Sequence, residues 1–441
     1  MSARSSASGG VFYGWYIVGA LFFSTFIGVG TRQGFGVFVE TWEKDWEVSV
    51  GAISVAASVG WLLNGLGQPF FGRLTDRVGG RPVVIVSLFV MGLAMLAMAL
   101  VQNVLMLTVV YGVVMSLAAG GISPGISGVF VARWFHRRRG SAMSLLVSGG
   151  SVGGLLLVPF LTYLFLATTW QTAWIAAGVI TLGLGLPLLF IIVRSDPADV
   201  GLNPDGDPDS GDAGDRASGA NHPVEGPLAA SRWQQSFRSP PIWQLSMAYW
   251  VCGVTTASVA VHFVRWARDE DISPGTAALA FGLLSGINAI SVLILGMASD
   301  RMQRRTLLGG VYFIRAVAFG ALILLPGSVA IWAFAVIGGA SWLATVPLTS
   351  SLTADIYGLR HLGTLNGLIN MTHQIGGALA VILFGLAFDA WGSYDVAFSA
   401  SVVLLIAAGL TVLTLNERRY SSRYAPVPPP DALTVASSGT I

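Results

Sequence analysis

The residues whose types could do chemistry are a few polar side chains stranded inside long apolar runs. Arg32 stands in such a run between Thr31 and Gln33, with Gly28, Gly30, Gly34 and Gly36 close by. A guanidinium stays charged and can grip a carboxylate through two parallel hydrogen bonds. Inside a membrane span an ionisable group is costly, so it marks a functional position. Arg32 is therefore the first candidate for contact with an anion; pairing with a carbonyl or with Glu40 is the structural alternative. Arg315, in the middle of a later run, is a second candidate, or else a structural cation held by polar groups of neighbouring helices. Asn366, Asn370, His373 and Gln374 fall on one helical face, and a polar stripe in lipid must face the protein interior or water. Histidine titrates near neutral pH. His373 could thus bind a solute or exchange a proton, or simply bond a neighbouring helix as a neutral ring. Tyr249 and Asn288 complete the candidate binding set. Asn64, Gln68, Thr256, His262, Trp342 and Thr345 read first as contacts between helices. No Asp or Glu stands at the centre of a run; Glu40, Asp355 and Asp389 lie near ends.

The elements that must position these groups follow from composition. The chain has 441 residues, 54% of them hydrophobic and 10% charged, where a soluble domain carries about 25% charged residues. Most of its outside must therefore face lipid. A helix needs about 20 apolar residues to cross the hydrocarbon core. Such runs predict twelve spans, near 14–39, 50–70, 83–101, 104–131, 141–166 and 170–193, then 241–265, 275–298, 306–326, 328–354, 363–389 and 394–415. Residues 1–13 read as a short polar N-terminus, and the first run as a retained span. Residues 196–239, rich in Asp, Gly, Pro and Ser, read as a flexible linker, and 417–441 as a disordered tail. Between them lie a first six-helix bundle, 14–195, and a second, 240–416.

The two halves repeat. Gly72, Asp76 and Arg77 follow the second span; Gly296, Asp300 and Arg301 follow the eighth, 224 residues later. Pro124, Gly140, Gly153 and Gly154 recur as Pro347, Gly363, Gly376 and Gly377, at an offset of 223. Such repeats suggest two bundles facing one another. Of 24 basic residues, nineteen fall on the side of the N-terminus in a twelve-span topology. Basic loops are cytoplasmic, so both termini and the linker are expected there.

Gly72–Arg81, reading Gly-x-x-x-Asp-Arg-x-Gly-x-Arg, resembles the signature loop of the major facilitator superfamily, with a weaker copy at Gly296–Arg305. The resemblance implies an all-α fold of twelve transmembrane helices in two pseudo-symmetric six-helix bundles. It also implies a cytoplasmic gate built on Gly72, Asp76, Arg77, Arg81, Gly296, Asp300 and Arg301. Within that superfamily the chain looks like the bacterial monocarboxylate-transporter and oxalate:formate-antiporter branch. The matching residues are Gly14-Trp15, Arg32 with Gly36-Val37-Phe38, Arg133-Trp134-Phe135, Arg137 to Gly140, Gly201-Leu202, Leu362-Gly363-Thr364 and Gly392-Ser393-Tyr394. In that branch the first span lines the cavity and carries a basic residue for an anionic substrate, the place Arg32 takes here. Animal members have an aspartate and an arginine one turn apart in the eighth span, where this chain has Asn288 and Val292.

The resemblance implies secondary transport of a small organic anion by alternating access, as proton symport or anion exchange. Proton-coupled efflux of drug-like molecules is the alternative. The expected setting is a bacterial inner membrane, with a multi-pass monomer. No phosphate-cradling loop, His-Glu-x-x-His or Gly-x-Ser-x-Gly appears, and Cys252 is the single cysteine. Catalysis, a resident metal, a cofactor and nucleic acid binding are therefore not expected.

Overall fold

The computed structural model describes residues 11–48, 50–206 and 226–424. The N-terminal residues 1–10, the heart of the expected linker and the last part of the tail lie outside the described residues. The first half holds α1 (Tyr13–Gln33), α2 (Val50–Val78), α3 (Gly80–Met98), α4 (Val104–Trp134), α5 (Arg139–Ala167) and α6 (Trp170–Ile192). The second holds α7 (Pro240–Asp269), α8 (Pro274–Ser299), α9 (Arg304–Leu324), α10 in two pieces (Gly327–Gly339 and Thr345–Tyr357), α11 (Leu362–Trp391) and α12 (Asp395–Leu413). Among the described residues, ten helices are long and apolar enough to cross a membrane. The other two spans are α2, 29 residues long with Asn64 and Gln68 in its interior, and the broken α10.

Local sequence explains the boundaries. Ser273 accepts the Thr276 N–H at 3.2 Å, and Pro274 opens α8 where its missing N–H does no harm. Gly392 ends α11 at φ 67°, a left-handed cap that suits glycine.

Two spans differ from the sequence expectation. The first does not continue to residue 39. The span runs Tyr13–Val37, but its α-helix ends at Gln33, tightens into a 3-10 turn at Gly34–Val37 and is followed by a short helix, Val39–Trp46. Aromatic packing makes that turn. Phe38 lies 5.5 Å from Trp174 and Trp42 lies 5.8 Å from Trp170, ring to ring, and Trp42 is wholly buried. The tenth span is not one helix, because it unwinds between Ala340 and Ala344. Unwound backbone in lipid must find partners. Asn288 of α8 accepts the Leu343 N–H at 2.9 Å, and Arg315 of α9 donates to the carbonyls of Ser341 (2.5 Å) and Trp342.

Glycines set how closely the helices meet. α1 rests on α5 through Gly30, where an added Cβ would lie 3.0 Å from the Gly153 Cα. Across the halves, Gly72 of α2 abuts Gly363 of α11, and Gly296 of α8 abuts Gly140 of α5. A Cβ on Gly363 would meet the Gly72 carbonyl oxygen at 2.6 Å and an Asp76 oxygen at 2.7 Å. Gly363→Val is expected to destabilise this arrangement by about 1–3 kcal/mol. Thermal melting in detergent reads the loss; an unchanged melting temperature would contradict the packing described.

Candidate functional site

The site is the seam between the halves, made by α2 against α11 and α5 against α8. Its lower end lies at the repeated loops. α11 starts at Leu362, so the amides of Gly363 and Thr364 have no partner within their own helix. Asp76 of the other half takes both, at 2.8 and 2.7 Å, and also accepts the Thr364 hydroxyl at 2.5 Å. Asp300 repeats this on α5. It accepts the Gly140 and Ser141 amides at 2.7 and 2.9 Å and the Ser141 hydroxyl at 2.5 Å. Each carboxylate sits at the positive end of a helix dipole.

Further crossing bonds climb the seam. Asn366 donates to the Gly125 carbonyl at 3.2 Å, Asn288 to Ser151 Oγ at 2.7 Å and Gln374 to Asn64 Oδ1 at 2.9 Å. Asn64 precedes Asp76 by twelve residues, about 18 Å along a helix. Gln68 bonds Asn64 at 3.1 Å and continues the same polar line.

Arg32 stands beyond that line. It occupies the last turn of α1, half-buried, with its guanidinium over the Trp61 ring at 5.1 Å. Trp61, Gly65, Gln68 and Gly72 share one face of α2. Gly65 and Gly72 on that face touch α11 at Gln374 and Gly363. Trp61 is one turn farther from the loops, so Arg32 is presented at the seam just past the Asn64–Gln374 bond. Tyr111 lies near enough to the same guanidinium to interact with its charge. Among the described residues Arg32 forms no ion pair; the Glu40 side chain lies outside them.

Arg315 is placed differently. It is fully buried and donates to Cys252 Sγ at 3.1 Å, to Thr255 Oγ1 at 3.4 Å and to the two carbonyls of the α10 break. Cys252 also contacts Thr345 Oγ1 at 3.2 Å. The His373 ring lies 4.8 Å from the Tyr249 ring, tilted 41° to it, and 3.4 Å from Thr256 Oγ1. The structure thus brings His373 and Arg315 both onto α7, the first at Tyr249 and Thr256 and the second at Cys252 and Thr255, apart from Arg32. Asn370 donates back to the Asn366 carbonyl at 2.8 Å and lies against Gly125. Arg77 and Arg301 are exposed on the loop side. Arg81 lies within its own half, donating to the Phe190 carbonyl at 2.9 Å.

Sequence reasoning gave no role to Asp355, Arg139 or Arg304. The carboxylate of Asp355, 2% exposed, binds Arg139 of the opposite half at 2.5 Å and Arg304 of its own half. Arg304 also lies 3.7 Å from Asp300. The available signal was a lone aspartate at the end of a span, on a side otherwise rich in arginine.

Similarity to known proteins fits this architecture. The Major Facilitator Superfamily model matches residues 21–381 and 269–438. The chain belongs to the Major Facilitator Superfamily. Among curated relatives, an uncharacterized MFS-type transporter of Bacillus subtilis, YcxA, is 24% identical, covering 85% of this chain and 88% of that one. The probable sulfoacetate transporter SauU of Cupriavidus necator is 24% identical, covering 78% and 80%. Monocarboxylate transporter 13 of Bos taurus is 23% identical, covering 91% and 89%. Among solved structures, FucP in the outward conformation superposes with a TM-score of 0.67 at 16% identity, covering 90% of this chain and 99% of that chain. The chain is therefore a multi-pass membrane transporter of the secondary type, not an enzyme.

Removing Asp355 would leave two guanidinium groups buried without their shared anion. Asp355→Ala is expected to cost about 3–5 kcal/mol, and Asp355→Leu combined with Arg139→Met and Arg304→Met to recover most of it. Melting curves of the purified variants check both. A single variant as stable as the parent would show that this carboxylate does not balance the pair.

Proposed function

We propose that the protein carries a small organic anion, a mono- or dicarboxylate, with Arg32 as its main contact. One observation carries this reading. Arg32 is a permanent cation at the seam, resting on the Trp61 ring rather than on a carboxylate of the described residues. A ring face leaves guanidinium donors for a bidentate carboxylate. Relatives named for sulfoacetate and monocarboxylate support the anion class.

Alternating access follows from the seam. With the loop side bonded shut, the anion enters from the opposite side and meets Arg32 above the Asn64–Gln374 bond. Closure of that far side accompanies parting of Asp76 from α11 and Asp300 from α5, with 14–195 and 240–416 rocking as two bodies. Gln374, Asn370 and Asn288 hold the middle of the seam and exchange partners as it opens. His373 and Tyr249 face each other in the second half, and His373 is the group suited to carry a coupled proton. In this state Arg315 keeps the α10 break intact, so it acts on the route through backbone geometry. The setting is a bacterial inner membrane, with a monomer whose termini and signature loops are cytoplasmic.

Proteoliposomes tested with lactate, oxalate and sulfoacetate provide the check. Arg32→Gln is expected to lower uptake of the transported anion about tenfold or more without shifting the melting temperature, and Arg32→Lys to retain part of it. Full uptake by folded Arg32→Gln protein would remove Arg32 from the mechanism.

A further inference from the structure

Asp76 and Asp300 make the same crossing bonds from different backbones. Asp76 lies inside α2, which runs on to Val78, so the helix ladder fixes it. The Gly79 N–H then closes the helix end by bonding the Thr75 carbonyl at 3.0 Å, and Gly79 turns the chain at φ 85°, a conformation that suits glycine. α8 stops about one turn sooner by comparison, at Ser299, and Asp300 already lies beyond it. At the offset of 224, Gln303 takes the place of Gly79, and its backbone is extended, at φ −65° and ψ 124°. The carbonyls of this turn lie past the ladder and need other donors.

The chain beyond α12 supplies them. Arg423 donates through Nη1 to the carbonyls of Ser299 at 3.0 Å and Met302 at 3.2 Å, and through Nη2 to that of Asp300 at 2.8 Å. One planar fork thus spans the turn that carries Asp300. The segment is itself anchored. It makes a single helical turn at Glu417–Tyr420. The wholly buried Glu417 carboxylate accepts the Arg304 and Arg305 amides at the start of α9, at 3.1 and 2.9 Å. The Ser422 N–H bonds the Asp355 carbonyl at 2.9 Å, and Arg423 lies 4.0 Å from Glu417. All of these partners belong to the second half, so the segment travels with it.

We propose that Arg423 is a positioning residue of the loop-side gate. It fixes the backbone of Asp300, so that the carboxylate reaches the Gly140 and Ser141 amides of the opposite half. The first half needs no such brace, because the last turn of α2 and Gly79 do the same work. The segment 417–424 is thereby part of the gate, and withdrawing it loosens the α5 side of the seam.

Hydrogen–deuterium exchange on the full-length protein in detergent, with no transported solute, tests this apart from the choice of anion. Arg423→Gln is expected to speed exchange at the Gly140 and Ser141 amides about tenfold. The Arg304 and Arg305 amides, held by Glu417, should stay protected, which separates lost positioning from a detached segment. Arg423→Lys keeps the charge but not the fork, so it should retain part of the protection, and it keeps the test open if Arg423→Gln does not fold. Parent-like protection of Gly140 and Ser141 in whichever variant folds would overturn the proposal. So would equal acceleration at Arg304 and Arg305, which would reduce Arg423 to general packing.

Discussion

At the starts of α5 and α11 the backbone amides of Gly140, Ser141, Gly363 and Thr364 have no partner in their own helices, and the carboxylates that take them belong to the opposite half. This exchange governs the rest of the architecture. It requires α2 to end beside the start of α11, and α8 beside the start of α5. That closeness in turn requires glycine at 72, 140, 296 and 363. The hydrogen bonds that close the loop side can be remade elsewhere, and, among the described residues, only a small apolar cluster, Val129 and Ala132 against Ala354 and Leu362, joins the halves beside them. A large apolar interface would hold the halves together too strongly to part.

The polar residues within the membrane divide by what satisfies them. Arg315 and Asn288 spend their hydrogen bonds on the unwound stretch of α10, which lipid could not stabilise. Asn64, Gln68 and Gln374 bond one another along the seam, and Asn288 also donates across it to Ser151. Arg32 rests on a ring face, a weaker partner for a cation than a carboxylate. An arginine already ringed by carbonyls has little left for a solute, whereas one held by an aromatic face retains donors. The two intramembrane arginines thus have the same chemistry but different work.

Much of the fold was legible because it is written in run lengths and in an internal repeat. Twelve apolar runs gave the spans, and the offset of 224 between Asp76 and Asp300 marked equivalent positions whose identical bonding the coordinates show. The break in α10 was not legible. Its residues, Ala340 to Ala344, are as apolar as a helix requires, and the groups that stabilise the break lie on α8 and α9. The turn after Gln33 was hidden for a similar reason, since aromatic packing against α6 decides it. The role of Asp355 depends on Arg139, 216 residues away, a pairing that no local pattern announces. Arg32 stood out because a charge in lipid is conspicuous in any sequence, but its support by Trp61 is purely tertiary.

The central claim is that the two crossing carboxylates act as one unit, because a single rocking motion must break both. Hydrogen–deuterium exchange at the amides of Gly140, Ser141, Gly363 and Thr364 tests it most directly, comparing the parent with Asp76→Asn. The account predicts that neutralising Asp76 speeds exchange at all four amides together, including the pair held by the intact Asp300. Faster exchange at Gly363 and Thr364 alone, with Gly140 and Ser141 as protected as before, would contradict it.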